Sequence, residues 1–382
     1  MSDNFGQKDY GDYFKTLEEQ LNNSDNDNDS PKKEVSVKVH ETKGSVSSHQ
    51  KKSGFYAVFR LRKSILALVL AVVLVITGAT VITGLAKSDV KPNLTKNQET
   101  EQKQPDVEEE ENTLISYDFP ENVPDIIATN DANYAIVIDK TTNKVIAARN
   151  PHSKAFPAST TKVMTLLVAV ENITDMEDTF TMSYAITDPL FVRGASVAGF
   201  LNGEVVSMTD LLYGLILPSG ADAAVGLATK LAGSEEAFVE LMNERAREMG
   251  LENTHFANVS GLHDENNYTT AHDMAIILDT ALQNNLCKTI LSTKKYTTEK
   301  TPQNPKGILL SSTLFDYMYG TEPEIATIMG GKTGFVNQSG YCIASYGRNN
   351  TNGNEYIIVT MKNSSRWPAF HGQIDLYKEY AK

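Results

Sequence analysis

A serine and a lysine stand three residues apart in PASTTKVMTLLVAVE. They are Ser159 and Lys162, and Pro157 leads them into an apolar run of helical period. Three residues is nearly one helical turn, so hydroxyl and amine share a face. A neutral lysine there could take the hydroxyl proton and turn the serine into a nucleophile for acyl transfer, with no histidine involved. The plainer role for Ser159 is a helix N-cap. That role puts Lys162 at the third helical position, where a capping box wants Glu or Gln. The positive end of the helix dipole also disfavours a cation there by about 0.3–1 kcal/mol. The nucleophile reading accounts for the lysine as well, because the helix terminus, burial or a second cation would each lower its pKa. The spacing by itself is weak, since S-x-x-K recurs at Ser30, Ser48, Ser88 and Ser292. Only the copy at Ser159 follows a proline at the mouth of an apolar helix.

Two later segments bear on the same chemistry. LPSGADAA carries Ser219 between two helical runs, and GGKTGFVNQSGYC carries Lys332, Thr333 and Gly334 at the end of a predicted strand. Alone, each suits a turn: Gly220 and Gly334 fit turns and Ser219 is a fair N-cap. A metal-dependent hydrolase is a poorer fit. His255, His263 and His272 lack a ligand spacing such as H-E-x-x-H and read as surface or packing residues, so neither metal nor cofactor is expected. Cys287 and Cys342, the two cysteines, are too few for a disulfide framework and read as small buried apolar residues.

The elements that must position these groups begin near Leu114. YAIVIDKTTNKVIAAR (134–149) has two alternating β-rich runs about a polar turn, a hairpin. The middle is predicted helical: SMTDLLYGLIL, ADAAVGLATKLA, SEEAFVELMNERAREMG, closed by Gly250, and TAHDMAIILDTALQNN. IATIMGGKTGF, GYCIASYG and EYIIVTM then read as a meander, and PAFHGQIDLYKEYAK as a last helix. The expected class is α/β in the α+β sense. One five-stranded, largely antiparallel sheet is flanked by helices, with an inserted all-helical subdomain, and a cleft is expected between the lobes.

Ahead of this domain, residues 1–63 are rich in Asn, Asp, Ser and Lys and read as a disordered tail. Residues 64–86, SILALVLAVVLVITGATVITGLA, carry no charge and are long enough for a transmembrane helix. RLRK precedes them, which predicts a single membrane pass with a cytoplasmic N-terminus; a cleaved signal peptide is the alternative. Residues 87–112 read as a charged spacer, leaving 113–382 as an extracytoplasmic catalytic domain. The formal net charge of −13 argues against nucleic acid as a partner.

Beyond the three short motifs, ARNPHSKAFPASTTKVMT, LLYGLILPSGADAA, FVELMNERAREMGLENTHFANVSGL, YTTAHDMA and GGKTGFVNQSGYC occur in the order found in one family. From about Tyr134 to Gly347 the chain resembles the D-alanyl-D-alanine carboxypeptidases, low-molecular-weight penicillin-binding proteins related to serine β-lactamases. The resemblance implies that Ser159 attacks the carbonyl between the last two D-alanines of a peptidoglycan stem peptide. Lys162 is then the general base and Ser219 a proton relay. Lys332 and Thr333, followed by Gly334, hold the terminal carboxylate, and the backbone amides of Ser159 and Phe335 form the oxyanion hole. β-Lactam antibiotics would acylate Ser159. One departure is Ala221, where the family's Ser-Gly-Asn motif has Asn. Two other readings stay open. A serine β-lactamase would need a deacylating carboxylate, and Glu322 and Glu324 fall at the wrong place in the order. A penicillin-recognising wall sensor that does not turn over is compatible with Ala221 and the long tail.

Overall fold

β1 (Tyr134–Asp139) and β2 (Lys144–Arg149) pair antiparallel, forming the predicted hairpin. Asp139 closes its turn by accepting the amides of Thr141 and Thr142. The computed structural model describes residues 114–126, 131–321 and 323–382, which belong to one compact unit. The tail, membrane-span and spacer readings for 1–63, 64–86 and 87–112 lie outside the described residues. Among the described residues no helix is long and apolar enough to cross a membrane.

After the hairpin a 3₁₀ turn, Ala158–Thr161, runs directly into α1 (Lys162–Asn172). The insert then begins with β3 (Thr179–Thr181), α2 (Tyr184–Val192), β4 (Val205–Ser207), α3 (Met208–Ile216) and α4 (Ala221–Ala232). It continues with α5 (Glu235–Glu248), α6 (Ala271–Gln283), α7 (Asn285–Ser292), β5 (Lys295–Thr297), β6 (Leu309–Ser311) and α8 (Thr313–Met318). The chain returns through β7 (Ala326–Val336), β8 (Gly340–Asn349) and β9 (Glu355–Asn363) to α9 (Arg366–Tyr380).

The sheet order is β2-β1-β9-β8-β7, and every neighbouring pair is antiparallel. The insert departs from the all-helical expectation, because β3–β4 and β5–β6 form two short ribbons in it. Three-residue strands are too short to carry a period-2 signal, which hid them in the sequence.

Both faces of the sheet are covered, so its strands read as nearly continuous apolar runs, with successive residues alternating between two cores. Ile136, Ile138, Ala344, Ile357 and Val359 face α1, α6 and the helical insert. Ala135, Val137, Ile343 and Ile358 face Phe370, Ile374 and Tyr377 of α9. Three helices start on a side-chain cap of the usual kind: Ser207, Ser234 and Thr270 each accept the amide three residues on. The start of α1 has no such side-chain cap and no acidic residue in its first turn.

Candidate active site

The turn that carries Ser159 sits where the start of α1 meets the sheet edge. Thr160 closes the turn with its amide and hydroxyl, both bonding Pro157 O. Ser159 therefore lies inside a 3₁₀ turn, two residues ahead of the N-cap Thr161, and Lys162 is the first residue of α1. Lys162 Nζ stands 3.1 Å from Ser159 Oγ and donates to Ser260 O at 2.5 Å. Asn258 holds that second contact in place, because its Oδ1 accepts the amides of Ser260 and Gly261.

The backbone around Ser159 is tightly packed. Ala158 has φ 47° and Ser219 φ 66°, left-handed values that residues with a Cβ adopt only under constraint. A Cβ on Gly334 would fall 2.7 Å from Ser159 N, so this position of β7 admits only glycine. Phe335 follows directly. The two amides assigned to the oxyanion hole thus belong to segments in van der Waals contact.

A cleft of about 460 Å³ opens over this turn. Ser159, Lys162, Ala221 and Phe335 line it. Phe335 is 47% exposed and stacks on Tyr341 with centroids 4.3 Å apart. The other sequence-derived residues lie beneath or beside this surface. Ser219 is buried, and its Oγ has no hydrogen-bond partner among the described residues. Lys332 is 1% exposed and donates to Thr333 O at 2.8 Å, while Thr333 Oγ1 pairs with Thr313 Oγ1 at 2.7 Å.

Electrostatics favour a basic amine. Burial lowers Lys162 to about 7, against the opposing pull of the Asp222 carboxylate. Burial is thus the principal cause, where the sequence pointed first to the helix terminus. Burial and the neighbouring Lys162 also hold Lys332 well below the ordinary lysine range. Two buried lysines close enough to feel each other cannot both carry a proton cheaply.

Four contributors were not legible beforehand. Asp222 is buried at the start of α4 and accepts the amides of Ala198, Gly199 and Phe200, tying down one cleft wall. Burial raises its pKa. Its only sequence signal was an acid one residue beyond Ser-Gly-Ala. Arg193, Ser196 and His263 also line the cleft. They come from loops that carry no periodicity, and His263 packs edge-on against Phe156 at 4.9 Å. Ser196 O accepts the Ala221 amide, which fixes the wall where the family asparagine is missing. Glu324 is exposed in the segment entering β7, and Glu322 lies outside the described residues.

A five-stranded antiparallel sheet with helices on both faces, and a cleft pairing a serine with a buried lysine, is the arrangement that Ser-Lys acyl transfer requires. Comparison with known proteins is consistent with this class. Residues 121–365 match the family model described as D-alanyl-D-alanine carboxypeptidase, and the chain belongs to that family. It is 31% identical over 216 residues to the D-alanyl-D-alanine carboxypeptidase DacF of Bacillus subtilis, covering 56% of this chain and 54% of that one. It is 40% identical over 154 residues to DacC of Escherichia coli, covering 38% of each. The chain thus spans about half or less of the length of these two curated relatives. The crystal structure of the Streptomyces K15 DD-transpeptidase superposes with a TM-score of 0.60 at 26% identity, covering 66% of this chain and 99% of that one.

Proposed function

We propose that the protein is a serine D-Ala-D-Ala carboxypeptidase that removes the terminal D-alanine from peptidoglycan stem pentapeptides and is acylated by β-lactams. Residues 64–86 would anchor it in the bacterial cell membrane, with the catalytic domain outside. The observation that carries the reading is Lys162 Nζ at 3.1 Å from Ser159 Oγ, in an environment that brings the amine to about 7.

Ser159 Oγ attacks the carbonyl carbon between the two D-alanines, and its proton passes to Lys162 Nζ. The amides of Ser159 and Phe335 receive the oxyanion. A single donor of this kind is typically worth about 3–4 kcal/mol in the transition state. The proton reaches the leaving amine through Ser219, whose Oγ has no competing partner among the described residues. D-Alanine departs, leaving an ester on Ser159. Water then adds to that ester while Lys162 again takes a proton, and the tetrapeptide and free hydroxyl are restored. Lys332 and Thr333 bind the terminal carboxylate, whose negative charge offsets the burial and like-charge cost of Lys332 only when substrate is present.

The test incubates the full-length protein in detergent with a stem pentapeptide and follows free D-alanine. Release by the wild type and its loss in Ser159→Ala are expected. No release, or equal release by the variant, overturns the proposal. A second reading, transfer of the acyl group to an amine in place of water, is motivated by the likeness to a DD-transpeptidase. It requires a cross-linked product when an amine acceptor is added to the same assay.

A further inference from the structure

A second depression, of about 250 Å³, lies beside the cleft and shares Gln338 with it. Lys154 and Lys362 stand on its rim, and neither ammonium has an ion-pair partner among the described residues. Lys154 Nζ is held 4.0 Å from the centre of the Tyr268 ring. That contact orients the charge without neutralising it. Lys362 occupies a β-bulge, where β9 carries one residue more than β8 opposite Cys342. Its φ of 58° is left-handed. A bulge held in a costly conformation re-aims a side chain, and such features collect beside binding sites. Tyr134 also lines the depression, and the one carboxylate there, Glu265, faces His263 at 3.4 Å.

The direction of the strand connects this depression to substrate. β7 touches the nucleophile turn at Gly334, with Lys332 and Thr333 before the contact and Phe335 to Val336 after it. A terminal carboxylate at Lys332 and Thr333 sends the acyl-donor arm the other way, over Val336 and Gln338 and toward Lys154 and Lys362.

We infer that this depression is a subsite for a free carboxylate in the acyl-donor arm of the stem peptide, held by Lys154 and Lys362 against Tyr134 and Tyr268. The inference rests on the carboxypeptidase reading for the direction of the peptide. An acidic residue joined through its side-chain carboxyl keeps such an α-carboxylate free.

The experiment measures binding without turnover, using full-length Ser159→Ala protein in detergent. Two pentapeptides are compared by calorimetry, identical except that this α-carboxylate is free in one and amidated in the other. The free acid is expected to bind about five- to tenfold more tightly at low salt. That preference should shrink as salt rises and fall to within about twofold in Lys154→Met/Lys362→Met. Equal binding of the two peptides overturns the subsite, as does a double variant that keeps the preference. If the double variant does not fold, the comparison of the two peptides on the unaltered depression decides alone. A wild type that binds the free acid preferentially yet releases no D-alanine would sink the carboxypeptidase reading and leave the subsite standing.

Discussion

On the sheet face away from the cleft, α9 lies over Ala135, Val137, Ile343 and Ile358. The buried polar groups there satisfy one another: Gln373 donates to Ser345 Oγ and Ile358 O and accepts from Thr360 Oγ1, and Ser345 pairs with Tyr377. At the cleft edge of the same sheet the packing follows different rules. Two lysines are buried, a serine hydroxyl lacks a partner among the described residues, and Ala158 and Ser219 have left-handed backbone. Uncompensated polar burial and strain both cost stability, so the cleft is held in shape by the packing behind and around it. The same features that are faults for stability are those the proposed mechanism uses as a reactive amine and a poised hydroxyl.

The contrast is broken most sharply by Lys162→Met. Activity should fall by about 10⁴-fold or more, as for loss of a base acting as a unit with its nucleophile. The variant should nevertheless melt at a higher temperature at pH 7. The lysine pKa is about 7 folded and 10.5 in the reference state, so the native form resists a proton that the unfolded chain binds. That cost builds as pH falls from 10.5 to about 7 and stays constant below, so the gain in melting temperature should shrink toward pH 10. A variant less stable at pH 7 would show that the cleft is not the strained region.

Phe370→Ala should do the opposite. It opens a cavity on the back face and is expected to cost about 3–5 kcal/mol in denaturant unfolding. The turnover of the folded fraction should stay within about twofold. Gln373→Leu should cost less, about 1–3 kcal/mol, because Ser345, Thr360 and Ile358 O lose a shared partner. The smallest effect expected is on pH dependence. β-Lactam acylation of Ser159 should rise with pH to about 7 and then level, as the amine loses its proton. Asp222→Asn keeps one of the two oxygens that accept the loop amides and removes a carboxylate that favours the protonated lysine. The midpoint should therefore move to lower pH, and stopped-flow acylation across pH measures it; a midpoint that moves upward refutes the assigned role.

Elements long enough to show a period were legible: the 134–149 hairpin, the four helical runs and the C-terminal meander all occur. Several of the shorter ones were not. α2, α7, α8 and the ribbons β3–β4 and β5–β6 span three to nine residues, and they form because the folded insert gives them surfaces to pack against. Asp222 illustrates the same limit in the site. One residue from a quoted motif, it reads locally as an acid in a first helical turn, and its bonds to the 198–200 loop exist only once α4 and that loop meet.

The sequence by itself determined the pairing of Ser159 with Lys162, because two side chains three residues apart on a helical turn must lie together whatever surrounds them. It also determined the alternation that gives the sheet two buried faces and the glycine at 334 that lets a strand pass close to the nucleophile. Only the tertiary structure decided that Lys162 is basic near neutrality. That property comes from burial, which outweighs the opposing pull of Asp222, a carboxylate the fold brings in from 60 positions along the chain. Desolvation and Coulomb interactions depend on distance in space, which local sequence spacing does not encode.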